Sequence, residues 1–407
     1  MDQVDVDSLI AAVQNAIRSG GPVQAPPHPY PPGSDAAYLR TQLEVGIEQE
    51  AMDAYVEELR KIPGMARLDG AFVANGVGGI STDLQTIART ILARSISTGN
   101  VEETCRAFVE FLRTNKIRAT AVLGVSGVSV VNEVKLGPDV IVRRMESLPP
   151  FYQRGAALCQ PGAMPPSRSI VPTAITTDFD FGPVIYFPSE RPASPSIREA
   201  QDKVEEAMLL MSVLGAYPNV RMFWVQPQDL LFSSGLGAGW QIGAESLLQH
   251  EARLEEREAC ELGNAYFALD ETVRTKYLRI PLDRLNRAGR ERDPTDRAID
   301  LGIALEALLL HEQKEGELSF RLAMRGAWLV GSSAKQREQA FNLLRSLYNL
   351  RSTAVHSGEF STKPNARNDL RDGLSLCQRL IEIMIDKKCV VNWNSLVLGE
   401  GLEFGAM

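Results

Sequence analysis

Histidine is scarce in this chain: His28, His250, His311 and His356 are the only four among 407 residues. The five cysteines (Cys105, Cys159, Cys260, Cys377, Cys389) are scattered, odd in number and without a C-x-x-C pair. Such spacing offers no finger-type or ribbon-type zinc site, and it favours reduced thiols in a cytoplasmic setting over a disulfide framework. H-E-x-x-H is absent. The one D-x-D, Asp178 and Asp180, falls in a strand-like run. Residues 71–81 (AFVANGVGGIS) contain glycines but lack the G-x-x-x-x-G-K-[ST] spacing, so they read as a loop and not as a phosphate cradle. No metal and no cofactor is expected. No apolar run approaches the ~18 residues that span a bilayer, and the acidic start MDQVDVDSL carries no signal-peptide core.

The net charge of −8 argues against broad, nonspecific nucleic-acid binding. It leaves local basic surfaces open. Residues 284–297 (RLNRAGRERDPTDR) hold five arginines interleaved with Asp283, Glu291, Asp293 and Asp296. That run is either a solvated helix face laced with acids or a phosphate-tracking surface.

The length suits two or three domains. An amphipathic helix from Asp7–Ser8 to about Arg18 leads into a Pro/Gly linker, so residues 1–34 form one segment. Helical patterns at 35–61, 82–96 and 101–115 make 35–116 a helical region. Residues 117–257 read as mixed α/β, with strands at 117–125, 127–137, 139–145, 172–188 and 221–225. A helix over 196–214 carries a Ser-x-x-Glu capping box at Ser196. Phe223 and Trp224 read as core in preference to stacking platforms for bases. From 252 onward the chain is nearly all helix, over 252–276, 278–290, 295–314, 317–331, 334–357 and 366–388. The class is α+β: an N-terminal helical segment, a mixed α/β region and a C-terminal all-α bundle.

The chemistry concentrates near the end of the fifth of those helices, in YNLRSTAVHSG, residues 348–358. Arg351 stands five residues before His356, and Gly358 is the expected helix stop. A guanidinium holds a phosphate with its planar fork, and an imidazole moves protons near neutral pH. Beside one cleft, the two can cleave RNA without a metal. Ser352 and His356 are one turn apart and able to share a ligand. The helix shows two apolar stripes. Leu343, Leu347, Leu350 and Ala354 face the bundle, while Leu344, Tyr348, Arg351 and Val355 form a second face for either the same bundle or a partner subunit. Glu306, amid apolar residues on an earlier helix, needs a partner. The choices are structural pairing with Arg325 or Arg351, the favoured reading, or orienting Arg351 for catalysis. His311 reads as a capping or surface residue.

Three separated segments carry a further signal: RAIDLGIALEALLL (297–310), ELSFRLAMRGAWLVG (317–331) and SLYNLRSTAVHSG (346–358). In this order they resemble the HEPN domain, in its Apea-like branch, and the likeness spans about 258–399 including NWNSLVLG. The resemblance implies a helical-bundle endoribonuclease that needs no metal, with Arg351 gripping the scissile phosphate and His356 as acid/base. Ser352, Glu306 and Tyr348 would support them. Ser352 stands where such nucleases usually carry Asn, Asp or His. The resemblance also implies a homodimer with two Arg–His sets lining one cleft, RNA (tRNA among the candidates) as substrate, and a role in antiviral defence or toxin-type growth arrest. Residues 117–257 would then sense a phage or cellular trigger or restrain the nuclease. The alternative is a non-catalytic HEPN-fold module binding RNA, a nucleotide or a partner protein.

Overall fold

The computed structural model describes residues 4–20, 45–74, 79–151, 154, 157, 171–187, 195–229, 240–241, 252–310, 317–389 and 391–398. The chain divides into two compact units, neither of them one continuous stretch. The first gathers Met1–Gly124, Met145–Val204 and Arg221–Ala244, and the second gathers Val125–Arg144, Glu205–Val220 and Glu245–Met407. The architecture is α+β, and the C-terminal region is helical.

In the first unit, α1 (Val6–Gly20) begins ahead of Asp7 because Asp5 is the cap, accepting from the Ser8 backbone N–H at 2.9 Å. Helices α2 (Gln49–Lys61), α3 (Leu84–Thr98) and α4 (Val101–Thr114) all pack against α1, and α3 also packs against α2 and α4, burying Leu9, Val13, Met52, Leu59, Ile91 and Phe108. Asp83 and Asn100 cap α3 and α4, each accepting from a backbone N–H three residues on (2.6 and 3.0 Å). The helix expected over 35–61 begins only at Gln49, and residues 35–44 lie outside the described residues.

The stretch expected to be a loop at 71–81 instead holds two strands, β1 (Phe72–Ala74) and β2 (Gly79–Ser81). They pair antiparallel with Phe72 opposite Ser81, and β8 (Ile185–Tyr186) flanks β1 on its other side. Three-residue strands carry too little alternation to announce themselves. Strands β3 (Ile117–Ser126), β7 (Thr173–Phe181), β9 (Asn219–Pro227) and β10 (Trp240–Gln241) follow the order β10-β9-β3-β7. Trp224 of β9 is fully buried among Val122, Met145, Phe151 and Met222, and Phe223 is buried beside it, as core residues should be. The helix expected from Ser196, α5 (Pro195–Leu210), includes Pro195. Ser196 therefore lies inside it, and its buried hydroxyl is without a partner where a capping box was expected.

In the second unit, β5 (Val134–Lys135) and β6 (Val140–Arg144) form an antiparallel hairpin, and β11 (Ala252–Arg253) pairs parallel with β4 (Val128–Ser129). The helix expected at 252–276 starts later, as α6 (Glu256–Phe267), and breaks at Ala268. Asp270 caps the next turn, α7 (Glu271–Val273), by accepting from Thr272 N–H at 2.8 Å. A π-turn, Arg274–Leu278, leads into α8 (Arg279–Arg290). Then come α9 (Pro294–Leu309), α10 (Leu318–Val330), α11 (Ala334–Ser357), α12 (Ala366–Asp386) and α13 (Trp393–Leu398). Their starts follow local chemistry. Asp293 caps α9 ahead of Pro294, and Ser333 with Gln336 forms a reciprocal capping box on α11.

Helix α11 occupies the middle, against α9, α10 and α12. Its buried residues are Ala340, Leu344, Leu347, Leu350 and Ala354. Of the two occupants open for the second face, Leu344 takes the bundle, seated on Gly326 of α10. Leu343, expected in the core, is only half-buried. The second face shrinks to half-buried Tyr348 and exposed Val355, with Arg351 turned toward α9.

Candidate functional site

The last two turns of α11 carry Tyr348, Arg351, Ser352 and His356. Gly358, in the left-handed conformation (φ 69°), ends the helix by donating its N–H to Ala354 O. That conformation is one a side chain adopts reluctantly, and it fixes where the chain leaves the helix. Ser357 steadies the exit: its hydroxyl donates to Thr353 O at 2.8 Å and accepts from Glu359 N–H at 3.2 Å.

Arg351 lies across α9. A Cβ at Gly302 would stand 2.4 Å from Arg351 Cγ, so the bare glycine is what allows the arginine stem to cross that helix. The guanidinium Nη2 then reaches Glu306 Oε2 at 3.4 Å, with the two side chains 28% and 25% exposed. This is a charge contact and not an aligned fork. Arg351 Nε remains buried without a hydrogen-bond partner. Burial raises the Glu306 carboxyl above its ordinary 4.5, and Arg351 draws it only part of the way back.

Of the two partners foreseen for Glu306, the structure therefore selects Arg351. Arg325 is occupied elsewhere: it is buried, donates to Leu309 O at 2.6 Å and stacks 4.8 Å from the Trp393 ring. Ser352 is half-buried and His356 exposed. At 3.6 residues per turn, five residues place Arg351 and His356 about 140° apart around the helix. One copy of the chain thus turns the guanidinium toward α9 and the imidazole toward solvent. His28, His250 and His311 lie outside the described residues.

The arginine run at 284–297 resolves in favour of internal pairing. Arg284 meets Asp300 at 2.7 Å, and Arg287 meets Asp283 at 3.1 Å. Arg290 donates to Asn286 Oδ1 at 3.0 Å, and Arg297 donates to the Glu291 carbonyl. Among the described residues, no group of three or more His, Cys, Asp or Glu side chains is arranged to hold a metal ion, and no helix is long and apolar enough to cross a membrane. Buried Cys105 and Cys377 have their thiols pushed up to about 12 by desolvation, which makes them inert core residues and not nucleophiles.

Sequence reading missed Gly302. Its signal was available: a glycine inside a strongly helical run, IDLGIALEALL, usually has a packing or functional reason. The three comparisons are empty: no family model, curated protein or solved structure matches the chain.

Proposed function

We propose that this protein is a metal-independent endoribonuclease of the HEPN type. Arg351 binds the scissile phosphate and His356 moves the protons. The observation that carries this reading is the contrast at the end of α11. The imidazole stands free in solvent, while five residues earlier a guanidinium is anchored at one nitrogen by Glu306 and left with an unpartnered Nε. In the proposed reaction the RNA 2′-OH gives up its proton to one imidazole, and the O2′–P bond forms. The P–O5′ bond breaks, and the departing 5′-oxygen takes a proton from a second imidazole. The products are a 2′,3′-cyclic phosphate and a 5′-OH. Arg351 offsets the negative charge on the non-bridging phosphate oxygens.

A single imidazole does not reach both sides of the phosphorus, and Arg351 and His356 of one copy diverge by about 140°. Both points favour a homodimer in which α11 helices meet across a two-fold axis, through the flank that exposes Val355 and half-exposes Tyr348. Ser352 and Tyr348 support the site. Its RNA class, tRNA included, and its phage or cellular trigger follow from the same reading, as does a role in defence or growth arrest.

A second reading has an observation of its own. The Arg351–Glu306 contact also suits a purely structural pair, in a non-catalytic module that binds RNA, a nucleotide or a partner. Purified wild type and His356→Ala, incubated with total tRNA in EDTA and with product ends mapped, separate the two. Cyclic-phosphate ends from wild type, with a rate about 10²–10⁴ lower in the variant, are the expected result. Cleavage that survives His356→Ala, or that stops in EDTA, removes the assignment.

A further inference from the structure

Helices α10 and α11 are rich in positive charge. Together they hold six cationic side chains (Arg321, Arg325, Lys335, Arg337, Arg345, Arg351) against one acid, Glu338, in a chain of net charge −8. Packing occupies three of the six. Arg325 is buried, Arg337 stacks 3.9 Å from the Trp328 ring and donates to Gly331 O, and Arg351 meets Glu306. Arg345 is different: it is exposed, its guanidinium lies 5.8 Å from the Phe341 ring, and among the described residues no carboxylate pairs with it.

Phe341 also meets Phe320 of α10 edge-on, with ring centroids 5.7 Å apart, and Phe320 is 45% exposed. An exposed aromatic of this size, set against a second ring and beside an unpaired guanidinium, offers a π-face and a positive charge together. Single-stranded nucleic acid is held by that combination. On α11 the side chains Asn342, Arg345, Asn349, Ser352 and His356 fall within about 80° of one another, so one polar strip about 20 Å long runs from the aromatic pair to the imidazole.

We propose that Phe320, Phe341 and Arg345 form a subsite for single-stranded RNA. It stacks an unpaired base on the phenylalanines, sets Arg345 on the neighbouring phosphate and leads the strand along Asn349 to His356. The choice of RNA as occupant rests on the ribonuclease reading. The positive charge, the exposed amides and the continuity with His356 favour a polyanionic strand over an apolar protein face on this strip.

The test uses the full chain carrying His356→Ala, so that RNA is bound but not cut, and a labelled single-stranded RNA of about twelve nucleotides read by fluorescence anisotropy. Phe320→Ala in that background is expected to weaken binding roughly ten- to a hundred-fold, with Phe320→Trp restoring it. Arg345→Gln is expected to lower the slope of log affinity against log salt by about one. Because Phe320 is exposed, unchanged thermal melting of the variants is the check that the fold survives. RNA bound equally well by parent, Phe320→Ala and Arg345→Gln overturns the subsite and leaves the ribonuclease reading standing. Unchanged RNA binding together with a smaller sedimenting species for Phe320→Ala overturns it in favour of a protein interface. RNA neither bound nor cut by the parent or the wild type removes both.

Discussion

Two arginine–glutamate pairs in the second unit share one separation and a buried arginine Nε without a hydrogen-bond partner, and differ in what else engages the guanidinium. Arg274 Nε approaches Glu206 Oε2 at 3.4 Å, with side chains 13% and 11% exposed, and Arg351 Nη2 approaches Glu306 Oε2 at the same distance, at 28% and 25%. In both, burial lifts the carboxyl above 4.5 against the pull of the arginine. Arg274 has other ties as well: Nη1 donates to Leu269 O at 2.6 Å, and the guanidinium lies 5.5 Å from each of the Tyr266 and Phe267 rings. Arg351 has a glycine beneath its stem, one carboxylate at its tip, and an exposed histidine one and a half turns away. Distance alone does not tell these two pairs apart. The number of other groups that already satisfy the guanidinium does.

The strongest way to break the comparison is Arg274→Met, which strands a buried carboxylate and removes the cation from two rings. It is expected to lower stability by about 3–5 kcal/mol in denaturant titration. Arg351→Ala comes next: a fall of about 10²–10³ in RNA cleavage, with a stability change well below that of Arg274→Met. Equal destabilisation by the two substitutions would make Arg351 a structural residue like Arg274. Gly302→Ala sharpens the point. Alanine favours the helix, but its methyl lands on Arg351 Cγ, so a net loss of about 1–2 kcal/mol and a displaced guanidinium are expected. Cleavage should fall further than the stability loss alone explains, and full activity with an unchanged denaturation midpoint would show that the Arg351 crossing does not matter.

Glu306→Gln has the smallest effect and a definite sign. Glu306 binds its proton more tightly folded than unfolded, so its contribution to stability is complete below the ordinary value of 4.5 and is lost as pH rises through the raised value. Wild type should therefore gain on Glu306→Gln as pH falls from neutral toward 4.5, read from denaturation midpoints at several pH values. The opposite trend would mean that pairing with Arg351 outweighs burial.

Much of the helical half was legible because its signals are local. Ser333 and Gln336, then Gly358, bracket α11 within neighbouring turns, and Asp293–Pro294 marks the start of α9. The pair Arg351 and His356, and Glu306 as a carboxylate in need of a partner, were also visible in the sequence. The strands at 72–74 and 79–81 were not, because three residues are too few for a period-2 pattern to show, and one of the two partners of β1 is β8, over a hundred positions away. For the face carrying Leu344, a helical wheel gave an angle but left bundle and partner subunit open, and Gly326 decides that this leucine goes to the bundle.

The arginines draw the same line. Composition placed five of them at 284–297 and left two meanings open; only folding showed Asp283, Asp300, Asn286 and the Glu291 carbonyl engaging four of them. It also showed Arg345 and Phe320 exposed beside Phe341, an arrangement made by two helices that no periodicity within either one encodes. By itself, then, the sequence determined the helices, their caps and the residue types able to do chemistry, since these depend on groups within a turn of each other. The tertiary structure decided which charges are spent on packing and which remain for a ligand, since that depends on what stands opposite each side chain across the bundle.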